Sequence, residues 1–237
     1  CLDLLEKYPV NETAGRPYYM EHDGCSFNLR WLRQIYYLNL LKLSAGDDLG
    51  HRSSWTHLDV GCGYGIFSYL LKREYPHSRH ILIDFPEQLL LAYYFLLCMF
   101  PHKKFRWVLT ADEADKLDMS EFDFIFLTPT SYQNLKGVKA DLLTNFYSFG
   151  EMTREHFDAY MAHPLFRDCD WFFTSNRFES QPRYDPTHQD NITILDYPLE
   201  QFETVFFGVS LPHLDYVLPK WVFWYEKHPF SSQAFDF

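Results

Sequence analysis

A chain of 237 residues with 47% hydrophobic content is long enough to bury one substantial core, in a size range where a single α/β domain is commoner than two. Lys and Arg number 21 against 32 Asp and Glu, a net charge of −11, which argues against a grip on a phosphate backbone and so against a nucleic-acid partner. The five cysteines (Cys1, Cys25, Cys62, Cys98, Cys169) are odd in number and include no Cys-x-x-Cys pair; neither a disulfide framework nor structural zinc is indicated, and a cytoplasmic location fits.

In chain order, residues 9–24 have no period and carry Gly15, Pro17 and Gly24, which reads as an irregular arm. The chain opens on Cys1 with no signal-like apolar segment, as a fragment or trimmed chain would. From Ser26 onward Leu29, Leu32, Tyr36, Leu40 and Leu43 recur at helical spacing, until Gly46 with Asp47 and Asp48 ends the run. Residues 55–60 are a short apolar run that stops at a glycine cluster, and 66–75 resume at helical spacing before Pro76: strand, loop, helix. Residues 80–83 predict a second strand ending at Asp84, and Pro86 opens an apolar helix that halts at Pro101. Its wholly apolar part, 89–100, is too short to span a bilayer and reads as a buried helix.

Residues 105–109, 122–127 and 140–146 are all strand candidates, one of them surplus to the usual alternation. Thr153 can cap a helix through Met161 with Pro164 behind it, and 170–175 predict another strand. Residues 204–207 and 221–225 predict an antiparallel pair at one sheet edge. The expected architecture is a Rossmann-like α/β fold: a mostly parallel sheet with helices on both faces, an antiparallel C-terminal edge hairpin and an N-terminal helical arm. Residues 1–50 would be arm and helix, and 51–237 the cofactor-binding core of one domain.

The chemistry concentrates in Asp59-Val60-Gly61-Cys62-Gly63-Tyr64-Gly65, between a strand and a helix. Residues without Cβ let a ligand approach the backbone, and the helix N-terminus offers free N–H groups. A dinucleotide fingerprint reads Gly-x-Gly-x-x-Gly, whereas here the third glycine comes one residue early and an acid stands two before the first. That spacing favours S-adenosylmethionine, whose ammonium Asp59 would attract and whose carboxylate suits backbone donors along Gly61, Cys62, Gly63 and Gly65. Asp84 stands where α/β nucleotide sites place an acid for both ribose hydroxyls. Phe85 and Thr128 complete the expected cofactor set. The bland alternative is a glycine turn that merely joins strand to helix and an Asp that caps the next one.

Asn145, Ser148, Glu151 and Met152 follow at the end of a further strand, in the stretch Thr144-Asn145-Phe146-Tyr147-Ser148-Phe149-Gly150-Glu151-Met152. This stretch resembles the sugar O-methyltransferases, a family of class I S-adenosylmethionine-dependent enzymes in which an Asn, a Ser and a Glu-Met pair recur. Further resemblance comes from Gly15-Arg16-Pro17, Phe126-Leu127-Thr128-Pro129, Asn176-Arg177 and Asp196-Tyr197-Pro198-Leu199. It implies methyl transfer to a sugar hydroxyl. Glu151 is then the candidate base, and Asn145 and Asn176 are neutral amides suited to orienting hydroxyls or the cofactor; Ser148, Asn176 and Arg177 are candidate acceptor contacts. Glu151 could equally complement the start of the next helix.

The 11 histidines show no metal spacing; His77 and His80 read as solvated turn residues, and His188 with Asp190, in 183–191, as a surface loop. The aromatic fraction of 19% serves either core packing or a cleft, with packing the better reading for most of it. The expected partner is a small-molecule or glycan acceptor, with no nucleic acid, membrane or metal, and a homo-oligomer stays open. The rival readings are a nicotinamide oxidoreductase, a catalytically silent cofactor-binding module, and methyl transfer to another small molecule or a peptide.

Overall fold

The computed structural model describes residues 2–10, 18–22, 24–180, 191–210 and 220–226. Gly15-Arg16-Pro17 and the loop bearing His188 and Asp190 lie outside the described residues. In chain order the elements are α1 (Leu2–Lys7), β1 (Met20–His22), β2 (Cys25–Phe27), α2 (Leu29–Ser44), α3 (Gly46–His51), β3 (Trp55–Val60), α4 (Ile66–Glu74), β4 (Ser78–Ile83) and α5 (Pro86–Met99). They continue with β5 (Phe105–Val108), α6 (Ala111–Asp115), β6 (Phe124–Leu127), α7 (Pro129–Tyr132), β7 (Leu142–Phe146), α8 (Arg154–Ala162), α9 (Pro164–Arg167), β8 (Trp171–Arg177), β9 (Glu203–Val209) and β10 (Lys220–Glu226). Two compact units result, Cys1–Trp55 with Cys62–Leu135 and Thr56–Gly61 with Lys136–Phe237. Among the described residues no helix is long and apolar enough to cross a membrane.

In the first unit β5, β6 and β4 pair in parallel. His80, Phe124 and Phe105 are register partners across the three strands, and their rings stack at 5.2 and 5.3 Å between centroids. Such cross-strand aromatic pairs fix register as well as burying area. His80 is therefore a core residue, fully buried and 2.8 Å from the Ser78 hydroxyl, and not the solvated turn residue that its distance from Pro76 suggested. His77 is exposed as expected.

Asn28 starts α2 by accepting the Trp31 N–H at 2.8 Å. α2 ends at Ser44, just before Gly46 as expected, and Gly46 begins a second helix, α3, with Asp47 and Asp48 in its first turn, where carboxylates complement the helix dipole. The helix α5 is half-buried rather than buried: Leu89, Ala92, Phe95 and Leu96 face the core while Leu90 is 61% exposed and Tyr94 54%. A run apolar on every side carries no period to announce its inner face. None of the three strand candidates is surplus, because the short helix α6, closed by a Thr110–Glu113 capping box, fits between β5 and β6.

A charge clamp ties the N-terminal helices to α4. Lys7 Nζ and the Tyr8 hydroxyl donate to Glu74 Oε2 at 2.8 and 2.6 Å, and Lys42 Nζ donates to Oε1. Burial pushes the Glu74 carboxyl up, but bonds from Lys42, Lys7 and Tyr8 outweigh it and hold it at about 2, below the ordinary 4.5. A depressed folded-state value means stabilisation that is present above pH 4.5 and lost as pH falls toward 2. Both lysines are partly solvated, so Glu74→Gln is expected to cost about 1–2 kcal/mol at pH 7. Urea midpoints of variant and parent should converge near pH 2; a gap independent of pH would assign the loss to packing.

In the second unit the strand order is β3-β7-β8-β10-β9. The first three pair in parallel, and β10 runs antiparallel to both β8 and β9, which is the expected edge hairpin. Thr153 caps α8 as expected, accepting the His156 N–H. Phe149, Phe157, Phe166, Phe172, Tyr197 and Phe202 form one edge-to-face and stacked cluster around α8 and α9, so the high aromatic fraction here goes into packing.

Candidate functional site

The first unit supplies the loop Cys62–Gly65 and the residues after β4 and β6. Asp84 Oδ2 accepts the Gly63 N–H and Oδ1 the Phe85 N–H, each at 2.8 Å. Burial raises the Asp84 carboxyl, and the two backbone bonds oppose it. An ionised carboxylate offers about four acceptor positions, so two remain for other donors. Phe85 stands beside it, 69% exposed. The Cys62 N–H reaches Ile83 O at 3.4 Å, joining the loop to β4. Thr128 spends its hydroxyl on α7, accepting the Ser131 N–H at 3.3 Å.

The glycines turn out to have three different jobs, all at positive φ. At Gly65 (φ 81°), a Cβ would press on Leu96, Leu82 and Ala92, so this glycine lets α4 close onto β4 and α5. At Gly61 (φ 74°), a Cβ would overlap the Ser148 side chain. Of these three, Gly63 (φ 56°) alone has nothing within 4 Å of the position a Cβ would take, as is also the case at Gly24 and Gly137 elsewhere in the chain. Gly65 and Gly61 serve internal packing; Gly63 opens onto free space with its N–H fixed by Asp84.

The second unit supplies Asp59 and the ends of β7 and β8. Asp59 is buried and accepts the Thr144 hydroxyl at 2.8 Å. Thr144 Oγ1 has then given its one proton, so the His57 Nε2 at 2.7 Å must be the donor toward it. Complete burial lowers His57 to about 3 and keeps it neutral. His57, Thr144 and Asp59 thus form an oriented chain that holds the carboxylate. Sequence spacing alone did not single out Thr144, which enters because register places it opposite Asp59.

Asn145 and Asn176 are buried, and their amides are engaged within the fold. Asn145 Nδ2 donates to Val60 O at 2.8 Å, and its Oδ1 accepts the Phe149 N–H at 3.0 Å and Asn176 Nδ2 at 2.9 Å. Asn176 Oδ1 accepts the Gly150 N–H at 3.2 Å. The two amides therefore mould the 3-10 turn Phe149–Glu151. At its end Glu151 is exposed, and it lies outside the first turn of α8, whose acid is Glu155. Ser148 is half-buried, with its side chain against Gly61. Arg177 is half-buried at the end of β8.

Two further residues had no sequence signal. Tyr147, next to Ser148, has φ 62°, the one non-glycine residue with positive φ among those described. It is held by its N–H to Ser175 O at 3.0 Å and by hydroxyl contacts to Ser175 and Ser210. Strain of this kind, costing about 1–3 kcal/mol, persists only where surroundings enforce it. Arg30 on α2 stacks over the Tyr64 ring at 5.5 Å, beside the glycine loop. No cluster of metal-ligating side chains occurs among the described residues.

The sequence matches no protein-family model and no curated protein. Solved structures do match. The chain superposes on magnesium protoporphyrin IX methyltransferase (ChlM) from Synechocystis PCC 6803 with bound SAH over 96% of its own length and 94% of that chain, with a TM-score of 0.55 and 12% identity. On the methyltransferase domain of bacterial CtHen1-CN it covers 84% of its own length and 100% of that chain, with a TM-score of 0.51 and 15% identity. The chain has the Rossmann-like methyltransferase fold.

Proposed function

We propose that this chain is an S-adenosylmethionine-dependent methyltransferase, working as a single domain, that acts on a hydroxyl of a sugar or glycoconjugate. The observation that carries the cofactor is Gly63: a left-handed residue facing open space, its N–H fixed by the acid that ends β4. In the fold shared with ChlM and CtHen1, the carboxyl ends of the strands are where an α/β protein takes its ligand. Asp84 would receive the ribose hydroxyls on its two remaining acceptor positions, the Cys62–Gly65 backbone would meet the amino-acid end, and Asp59 would attract the ammonium. Phe85 and Thr128 would border the nucleoside.

When bound, S-adenosylmethionine supplies an electrophilic methyl on a positive sulfur. A hydroxyl accepting this methyl would have to give up its proton to a base on this chain. Glu151 is proposed as that base, with Asn145 and Asn176 positioning the turn that presents it and Ser148 and Arg177 as acceptor contacts. A positioned base contributes about 10²–10⁴-fold to such a step. The sugar acceptor rests on the resemblance of Ser148-Phe149-Gly150-Glu151-Met152 to the sugar O-methyltransferases.

Calorimetry with S-adenosylmethionine and with NAD tests the cofactor, and binding of NAD alone would overturn the reading. Gly63→Ala adds a methyl group that meets no protein atom, so it should cost only about 1–2 kcal/mol for the left-handed backbone. Its affinity for the cofactor should nonetheless fall by about tenfold or more, the counterpart of at least about 1.4 kcal/mol. Unchanged affinity would make the loop purely structural. Glu151→Gln should bind the cofactor normally and lose turnover on a panel of sugars and glycoconjugates; full activity would remove Glu151 from the chemistry.

A further inference from the structure

At the amino ends of β4, β5 and β6, the opposite end of these strands from Asp84 and Thr128, lies a cavity of about 330 Å³ whose lining includes Lys72, Arg79, Lys103, Lys104, Glu121 and Asp123. Four fixed cations against two carboxylates stand out in a chain of net charge −11.

Of the two carboxylates, Glu121 is exposed and Asp123 is already engaged. Asp123 lies 2.7 Å from Lys72 Nζ and 3.2 Å from Lys103 Nζ, and also accepts the Lys104 N–H at 3.1 Å. The Lys72 side chain is 2% exposed, and its ammonium gives one proton to Asp123 and one to Ser78 O. An ammonium has three donors, so one is left over. Neither Arg79 nor the Lys104 ammonium has an ion pair at contact distance among the described residues, although the Arg79 charge reaches Asp118 and helps to lower it. Burial lowers Lys72; Asp123 opposes the shift, and Lys103 and Arg79 add to it by less than Asp123 takes away.

We propose that this pocket is an anion site for a phosphate-class ligand, a phosphoryl or diphosphate group held by Lys72, Arg79, Lys103 and Lys104. A compact group bearing two or more charges matches several converging cations better than a single carboxylate does, and a guanidinium fork suits phosphate oxygens in particular. The site lies within one unit and is independent of the methyl-transfer reading.

Calorimetry of the full chain with inorganic pyrophosphate and with orthophosphate, at fixed ionic strength, tests it. Saturable binding is expected with Kd on the order of 0.1–1 mM for one of the two, and the tighter probe distinguishes a diphosphate from a monophosphate ligand. Lys104→Glu, on an exposed lysine, and Arg79→Gln should each raise that Kd by about tenfold or more with an unchanged melting temperature. Gly63→Val should leave it unaltered, because the glycine loop could itself attract an anion at the start of α4. Three results overturn the proposal: no saturable binding up to about 10 mM, a Kd indifferent to both charge variants, or loss of pyrophosphate binding in Gly63→Val.

Discussion

Replacing Asp84 by alanine is expected to weaken S-adenosylmethionine binding by about two to four decades, if two ribose hydroxyls each donate to the charged carboxylate for about 1.5–3 kcal/mol. The structure adds a second route to the same loss. Both oxygens already accept backbone N–H groups, from Gly63 and Phe85, so alanine also releases the loop at the residue that faces open space. Asp84→Asn should weaken binding by both routes as well. Its amide oxygen can keep one backbone bond, while its NH₂ opposes the other N–H, so the loop should loosen nearly as much as in alanine. Apo stability should change by only about 1 kcal/mol in either variant, the usual net worth of such bonds. A folded Asp84→Ala protein with parental affinity in calorimetry would remove Asp84 from the site.

Gly61→Ala should have the largest effect on stability, at about 2–5 kcal/mol. About 1–2 kcal/mol of this is the left-handed backbone, and about 1–3 kcal/mol is overpacking against Ser148. That is a large share of the about 5–15 kcal/mol that holds a typical domain together. The second contribution has a specific antidote. Ser148→Gly removes the overlapping Cβ and Oγ and leaves the Ser148 Cα at 3.7 Å, an ordinary contact. In that background Gly61→Ala should cost only the backbone part. Urea midpoints of the four proteins give the coupling directly. Equal costs in both backgrounds would show that Ser148 is not what the missing side chain makes room for.

The strand β3 and the helix α4 were legible because glycines and a proline bound them and each carries its own hydrophobic period, and the same holds for the edge hairpin. What escaped depends on partners distant in sequence. His80 looked like a turn residue because nothing local reports that Phe124 and Phe105 will stack beside it. Asn145 and Asn176 were read as ligand contacts because they are polar and end strands; that their amides face each other, 31 residues apart, is settled only by the pairing of β7 with β8. The three glycines were visible as a motif, yet their distinct tasks were not, since Ser148, Leu96 and open space are properties of the assembled fold. Tyr147 lacked any signal, because a tyrosine in the left-handed region is imposed by its surroundings and not by its own preference.

The strand β3 sets a timing problem during synthesis. All six of its residues are buried, and within its unit it pairs with β7, so that Asp59 meets Thr144 across 85 residues of chain. At a translation rate of about 5–20 residues per second, roughly 4–17 s separate the emergence of the two partners from the ribosome. During that interval β3 lacks its β7 neighbour, and His57 and Asp59 lack Thr144, whereas β4, β5 and β6 can already pair among themselves. Long-range pairing of this kind slows folding and leaves strand edges open to other chains. The nascent protein should accordingly be most vulnerable to aggregation and proteolysis after β6 has emerged and before β7 has, and ribosome-bound chains stalled in that window should be cleaved fastest by added protease.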